Sequence, residues 1–282
     1  MREITLEELL EAGCHFGHQV TRSNPKARDF VFEARDNIHI IDLAKTKQGL
    51  EEAGVFVKEL AEKGGTFLIV ATKRQAQGII QEEIKRVKEI FNTSEKAEND
   101  GLFYVTNRWI GGVLTNLSEV SKNYKKLSDL EERIASVEER AKYTKREVAQ
   151  WVKEKQRLEA LYGGVTGLKE KPDALFIVDS HLEDMAVREA KTMRVETVAI
   201  VDTNADPHVI DYPIPANDDA IGSIKLIFTY IMDAWIEGRK NFESKAQKEA
   251  AKEAQPATEN VEPKTEKVVK PETKSAKSKT KK

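Results

Sequence analysis

The sequence of 282 residues holds a single cysteine, Cys14, so an internal disulfide is excluded and a reducing compartment is indicated. No run approaches the roughly 18 apolar residues of a membrane span. The most apolar long stretch, residues 221–235, is interrupted by Lys225 and Asp233. The first residues include Glu3, Glu7, Glu8 and Glu11, unlike the basic and then apolar pattern of a leader. The expectation is a cytoplasmic chain with no membrane partner. Nucleotide signatures are also missing. No strand-like run is followed by G-x-G-x-x-G, and G-x-x-x-x-G-K-[ST] does not occur. Gly163-Gly164-Val165-Thr166-Gly167 follows a helical pattern and precedes a strand, the wrong context for a phosphate cradle.

An excess of charge is lacking too. The 46 basic and 48 acidic residues leave a net charge of −2. Residues 243–282 hold 11 Lys and 7 Glu, a net of +4, so the remainder carries −6. Bulk charge therefore does not mark a nucleic-acid binder, and no DNA partner is expected; any such function must rest on local patches. The tail has no aromatic residue after Phe242 and cannot bury enough apolar surface to order itself. It reads as disordered from about residue 243, with a helical start allowed to residue 254.

The 39% of hydrophobic residues is enough for a real core. Thr66-Phe67-Leu68-Ile69-Val70-Ala71, Leu102-Phe103-Tyr104-Val105, Ala174-Leu175-Phe176-Ile177-Val178 and Thr197-Val198-Ala199-Ile200-Val201 are uniformly apolar. Such runs fit strands of a parallel sheet buried on both faces. Tyr212-Pro213-Ile214 is a weaker run whose prolines favour an edge position. Helical spacing fills residues 45–63, 75–90, 181–191 and 218–238, so strand and helix alternate in an α/β doubly wound sheet. Between residues 113 and 162 there is no strand signal. Leu114, Leu117, Val120, Tyr124, Leu127, Leu130, Ile134 and Val137 recur at steps of three and four, and a second run holds Val148, Trp151, Val152, Leu158, Leu161 and Tyr162. Two long helices there imply an inserted coiled-coil hairpin. The expected divisions are residues 1–112 (an N-terminal segment and the first half of the α/β domain), 113–162 (hairpin), 163–242 (second half) and 243–282 (tail).

The chemistry gathers near the N-terminus. Cys14, His15 and His18 miss the ligand spacing of structural zinc sites, so no metal or cofactor is expected. His15, His18, Arg22, Asn24, Lys26 and Arg28 on a Gly-rich loop, with His39 beyond, suit contacts to phosphates, 2′-hydroxyls and base edges of folded RNA. Lys73 and Arg74 follow a strand's carboxyl end, where α/β proteins place ligand contacts. Asn107 and Arg108 precede Trp109, which reads as a buried anchor for the hairpin base. The hairpin cations Lys122, Lys125, Lys126, Lys142, Lys145 and Arg146 either reach RNA or face water. Asp179, Asp202, Asp206, Asp218 and Asp219 lie after strands and motivate a second reading, a magnesium- or nucleotide-dependent enzyme. A third reading is a pure protein-interaction module.

Six blocks carry a resemblance, the first of them in several pieces. They begin with Ala12-Gly13-Cys14-His15-Phe16-Gly17-His18, Asn24-Pro25-Lys26 and Asn37-Ile38-His39-Ile40-Ile41-Asp42-Leu43, with Lys45-Thr46. Ala71-Thr72-Lys73-Arg74 and Asn107-Arg108-Trp109-Ile110-Gly111-Gly112-Val113-Leu114-Thr115-Asn116 follow. Pro172-Asp173-Ala174-Leu175-Phe176-Ile177-Val178-Asp179, Ala199-Ile200-Val201-Asp202-Thr203-Asn204-Ala205-Asp206-Pro207 and Ile214-Pro215-Ala216-Asn217-Asp218-Asp219-Ala220 complete the set. In this order they resemble the family of the second ribosomal protein of the bacterial small subunit, over roughly residues 5–239. The sequence departs from that pattern at Cys14, where Val is usual, at Ile110, where Leu is usual, in extra polar residues 93–100 and in a longer, lysine-rich tail. The resemblance implies a flavodoxin-like domain with an inserted helical hairpin and no catalytic role. It implies binding of small-subunit ribosomal RNA and of neighbouring ribosomal proteins. Among these is the large first protein, which binds messenger RNA and which the family helps recruit.

Overall fold

A computed structural model of the chain describes residues 2–91 and 101–253, with side-chain surroundings through residue 245. The chain divides into two units, Met1–Lys245 and Ala246–Lys282. The polar residues 93–100 and the tail beyond residue 253 lie outside the described residues.

The first unit is built on five parallel strands. They are β4 (Phe67–Val70), β5 (Leu102–Val105), β6 (Ala174–Ile177), β7 (Glu196–Val201) and β8 (Tyr212–Pro215). Their spatial order is β5-β4-β6-β7-β8, a flavodoxin-like doubly wound arrangement. Successive side chains on these strands enter opposite layers. Phe67, Ile69, Phe176, Val198 and Ile200 join one core with Leu50, Ile80, Phe228 and Trp235. Leu68, Val70, Leu175, Ile177 and Ala199 join the other with Trp109, Leu127, Leu158 and Val187. This two-sided burial is why the strands read as unbroken apolar runs. Phe67 stacks on Trp235 with ring centroids 5.4 Å apart.

Tyr212–Pro215 is an edge strand, as its prolines predict. Helix α2 (Leu43–Glu62) covers it closely. A Cβ at Gly49 would lie 2.5 Å from the Pro213 carbonyl oxygen, so glycine permits the approach. The other helices are α1 (Leu6–Glu11), α3 (Arg74–Ile90), α4 (Leu117–Ala135), α5 (Val137–Ala141), α6 (Lys145–Tyr162), α7 (Asp184–Met193) and α8 (Ile221–Glu253). The expected two-helix insertion thus contains three helices. Ser136 leaves helical geometry at φ −72° and ψ 119°, and its hydroxyl accepts the N–H of Glu139 to start α5. Helix α8 begins later than expected, because Asn217 turns the chain first, and it continues past residue 243.

The N-terminal segment corrects the sequence reading. It is not a loop throughout. Phe16–Gln19 (β1), Val31–Arg35 (β2) and Ile38–Ile41 (β3) form an antiparallel sheet in the order β1-β3-β2. Asp36 and Asn37, both at positive φ, make the two-residue turn between β2 and β3. Gly17 does not loosen β1. A Cβ there would meet the Thr203 side chain at 2.7 Å, so the glycine marks close approach to another element.

Candidate functional site

In this strand order the chain reverses direction across the sheet between β4 and β6. The crevice outside their carboxyl ends is where open α/β sheets bind ligands. Here that crevice is filled by the protein itself. Lys73, which follows β4 and opens α3, has a side chain only 13% exposed. Its Nζ lies 3.2 Å from Asp179 beyond β6, 2.8 Å from Asp218 and 2.7 Å from Asp219 beyond β8. A cation at a helix N-terminus opposes the helix dipole, and burial works against its charge. The three carboxylates outweigh both effects and raise the Lys73 pKa. Burial, with Asp179 and Asp202 nearby, pushes Asp218 up to about 7 even though Lys73 opposes the shift.

The carboxylates also hold backbone. Asp179 accepts the N–H groups of His181 and Leu182 at 3.0 and 2.8 Å. Asn217 accepts those of Asp219 and Ala220 at 2.7 and 3.0 Å, which fixes the turn into α8. Burial raises the Glu183 pKa, and the Thr72 hydroxyl donates to that carboxyl.

The loop after β7 receives the antiparallel sheet. The His18 N–H donates to Thr203 Oγ1 at 2.8 Å, and the Asn24 N–H donates to the Thr203 carbonyl at 2.7 Å. His18 Nδ1 lies 3.2 Å from Asp202, and its Nε2 lies 3.6 Å from Asp219. The hydrogen bond to Asp202 raises the His18 pKa, aided by the neighbouring aspartates. Lys26 Nζ meets Asp206 at 2.6 Å. His18, Asp218 and Asp219 are the only metal-ligating trio found among the described residues, with ligand atoms within 4.8 Å of one another. Lys73 Nζ already lies against both of its aspartates, at 2.8 and 2.7 Å. Cys14 is buried apart from this group, hydrogen-bonded to Ser223.

The foot of the hairpin is a second polar assembly. Glu189 is buried on α7. It accepts the Trp109 indole N–H at 3.2 Å and the backbone N–H groups of Gly112, Leu114 and Thr115 at 2.9, 3.2 and 3.3 Å. Trp109 is buried, the anchor its sequence setting predicts. Asn107 Nδ2 donates to the Ala160 carbonyl at 2.5 Å, tying β5 to the end of α6.

A family model described as Ribosomal protein S2 matches residues 9–238. The chain belongs to the ribosomal protein S2 family. It is therefore a structural ribosomal protein of translation and of the small subunit, a non-enzymatic kind of protein. No helix among the described residues is long and apolar enough to cross a membrane.

In this S2-family chain the eleven sequence-predicted contact residues divide by environment. Lys73 is held among three carboxylates of the protein, with its side chain 13% exposed. Asn24 caps a 3₁₀ turn, accepting the Lys26 N–H at 3.0 Å, and Asn107, Lys26 and His18 are tied to the protein as above. His15 and His39 are half-buried, and their Nδ1 atoms have no hydrogen-bond partner among the described residues. Burial lowers the His15 pKa. Arg22, Arg28, Arg74 and Arg108 are exposed and form no ion pair among the described residues. In the hairpin, Lys122, Lys126 and Lys142 pair with Glu119, Glu154 and Glu139 at 2.6–2.8 Å. Lys125, Lys145 and Arg146 are exposed. Sequence reasoning missed Arg35, which is exposed on β2 and forms no ion pair among the described residues, and the turn pair Asp36-Asn37 that would have revealed its strand.

Proposed function

We propose that the chain binds small-subunit ribosomal RNA through the exposed arginines of its N-terminal segment and of the loops after β4 and β5. The observation that carries this reading is the division of the cations. Those near carboxylates are neutralised, whereas Arg22, Arg28, Arg74 and Arg108 project without a protein partner among the described residues. Guanidinium groups left free in this way suit phosphate oxygens, which accept them bidentately. The body's net charge of −6 argues for local attachment rather than long-range attraction.

The acidic surface leaves room for basic protein neighbours. Family membership supports the inclusion of the messenger-RNA-binding first protein of the subunit among the partners this chain helps recruit. It likewise supports a ribosomal, cytoplasmic location. The second reading, an enzyme on this fold, is disfavoured by the cluster of Lys73 and three aspartates that occupies the β4–β6 switch point.

Sedimentation of cell lysate tests the reading. The chain should travel with small subunits and leave them after RNase treatment. Replacing Arg22, Arg28, Arg74 and Arg108 by Glu should move the folded protein to the top of the gradient. Wild-type sedimentation of that variant would remove these residues from the interface, and sedimentation free of subunits would overturn the RNA-bound role.

A further inference from the structure

The antiparallel sheet exposes more than charge. Phe32, on the edge strand β2, is 71% exposed, and Phe16, on the opposite edge strand β1, is 48% exposed. Strand register groups Phe16 with other residues, whereas Phe32 stands at the irregularity of β2 between Val31 and Glu33. Phe16 and Glu33 both pair with Ile40, and Gln19 and Arg35 both pair with Ile38 two residues along β3, so these six share one face. The opposite face turns inward, where Ile41 is buried and Gly17 meets Thr203. Arg22 lies in the turn after β1 and Arg28 in the turn leading to β2. Both are exposed and, like Arg35, form no ion pair among the described residues.

Large exposed aromatics on a regular sheet call for a flat apolar partner. Interleaved arginines call for an anionic one. Asp29, Glu33 and Asp36 stand in the same stretch, so its summed charge is small and bulk attraction cannot supply the affinity. A ligand with flat apolar faces on an anionic backbone meets both requirements. Duplex RNA hides its base faces, whereas unpaired nucleotides expose theirs to aromatic rings and guanidinium planes.

We propose that the exposed surface of this sheet is a stacking platform for unpaired bases of RNA. Phe16 and Phe32 receive base faces, and Arg22, Arg28 and Arg35 engage the adjoining phosphates or stack in turn. The proposal rests on the RNA-bound reading above and adds the class of RNA: single-stranded or bulged rather than helical.

The test uses the full chain and a fluorescein-labelled twelve-nucleotide RNA carrying 2-aminopurine, beside its duplex form. The single strand should bind at least tenfold more tightly than the duplex and should change the 2-aminopurine emission. The double variant F16A/F32A should lose that change and weaken single-strand binding about tenfold per ring, with its salt dependence kept. Phe32→Trp should retain binding. Replacing Arg22, Arg28 and Arg35 by Ser should flatten the salt dependence by about one unit for each phosphate no longer engaged. Far-ultraviolet circular dichroism and melting curves establish that each variant is folded.

If F16A/F32A binds like wild type with the emission change intact, stacking is overturned. Equal binding of single strand and duplex also overturns it. If the arginine variant alone loses RNA, stacking fails and the RNA-bound role stands. If the wild-type chain binds neither RNA, both fail. If F16A/F32A keeps RNA but loses a protein neighbour in sedimented subunits, the face is a protein dock and the proposal is wrong.

Discussion

Two cationic regions of this molecule meet opposite fates. At the carboxyl end of the parallel sheet, Lys73 is enclosed by Asp179, Asp218 and Asp219. On the antiparallel sheet and its turns, Arg22, Arg28 and Arg35 stand in water. The first region occupies the crevice where this fold elsewhere holds ligands, yet its charge is spent inside the protein. The second lies on a small added sheet, yet its charge is free. The residue type contributes to the difference. An ammonium is a compact charge suited to a cage of carboxylates, whereas an exposed guanidinium keeps a planar fork for phosphate or for stacking. A cation's place in the fold therefore does not reveal its role until its partners are counted.

The largest test of this contrast is Lys73→Met. Removing the cation leaves three carboxylates facing one another, and breaking a buried ion pair from one side costs about 3–5 kcal/mol. Urea denaturation should show the loss as a lower midpoint with an unchanged slope. A variant that keeps its stability but loses RNA would reverse the roles assigned to the two regions. Glu189→Ala comes next, at about 2–4 kcal/mol, because it strands the indole N–H and three backbone donors at the hairpin foot. Hydrogen exchange should accelerate at Gly112, Leu114 and Thr115 before it does in the strands. Uniform acceleration throughout the chain would mean that the foot is not a separable unit.

The two regions also differ in how well the sequence disclosed them. Four core strands were legible because both faces are buried and the apolar runs are unbroken, and Pro213 and Pro215 marked the fifth as an edge. The antiparallel sheet was not. Its strands mix Gly17, His18, Gln19, Glu33 and Arg35 with apolar residues, because one face is exposed and the other packs on a polar loop. Lys73 was legible as a residue at a strand end, but the carboxylates around it were not. Its partners lie 106 residues away at Asp179 and 145 away at Asp218, so local sequence could not pair them. Arg22 and Arg28 could be named as candidates, but their lack of protein partners became visible only in the fold. The division at Ser136 within the insertion was hidden by an apolar repeat that runs through it.

The smaller effects sharpen the contrast through pH and salt. Asp218 is raised from its ordinary 3.8 to about 7 in the folded protein. The folded state therefore binds this proton more tightly than the unfolded state, and stability falls as pH rises from about 4 to 7. His18 is raised above 6.5. Its contribution is present below that value and is lost as pH rises through its higher folded value, so the two slopes have the same sign. The protein should melt at a lower temperature at pH 8 than at pH 5.5, with a difference of roughly 1–2 kcal/mol from this cluster. Asp218→Asn should remove at least half of it. An unchanged difference in that variant would place the titrating group elsewhere.

The arginines should behave in the opposite manner. Changing Arg22, Arg28 or Arg35 singly to Ser should alter stability by less than about 0.5 kcal/mol, because none of the three has a protein partner among the described residues. The same changes should reduce RNA affinity and, where the side chain had engaged a phosphate, lower the salt slope by about one. A single arginine change that destabilised the protein by about 2 kcal/mol or more would mean that its side chain is part of the fold after all. The antiparallel sheet would then be built, like the Lys73 crevice, around charge that the protein keeps for itself.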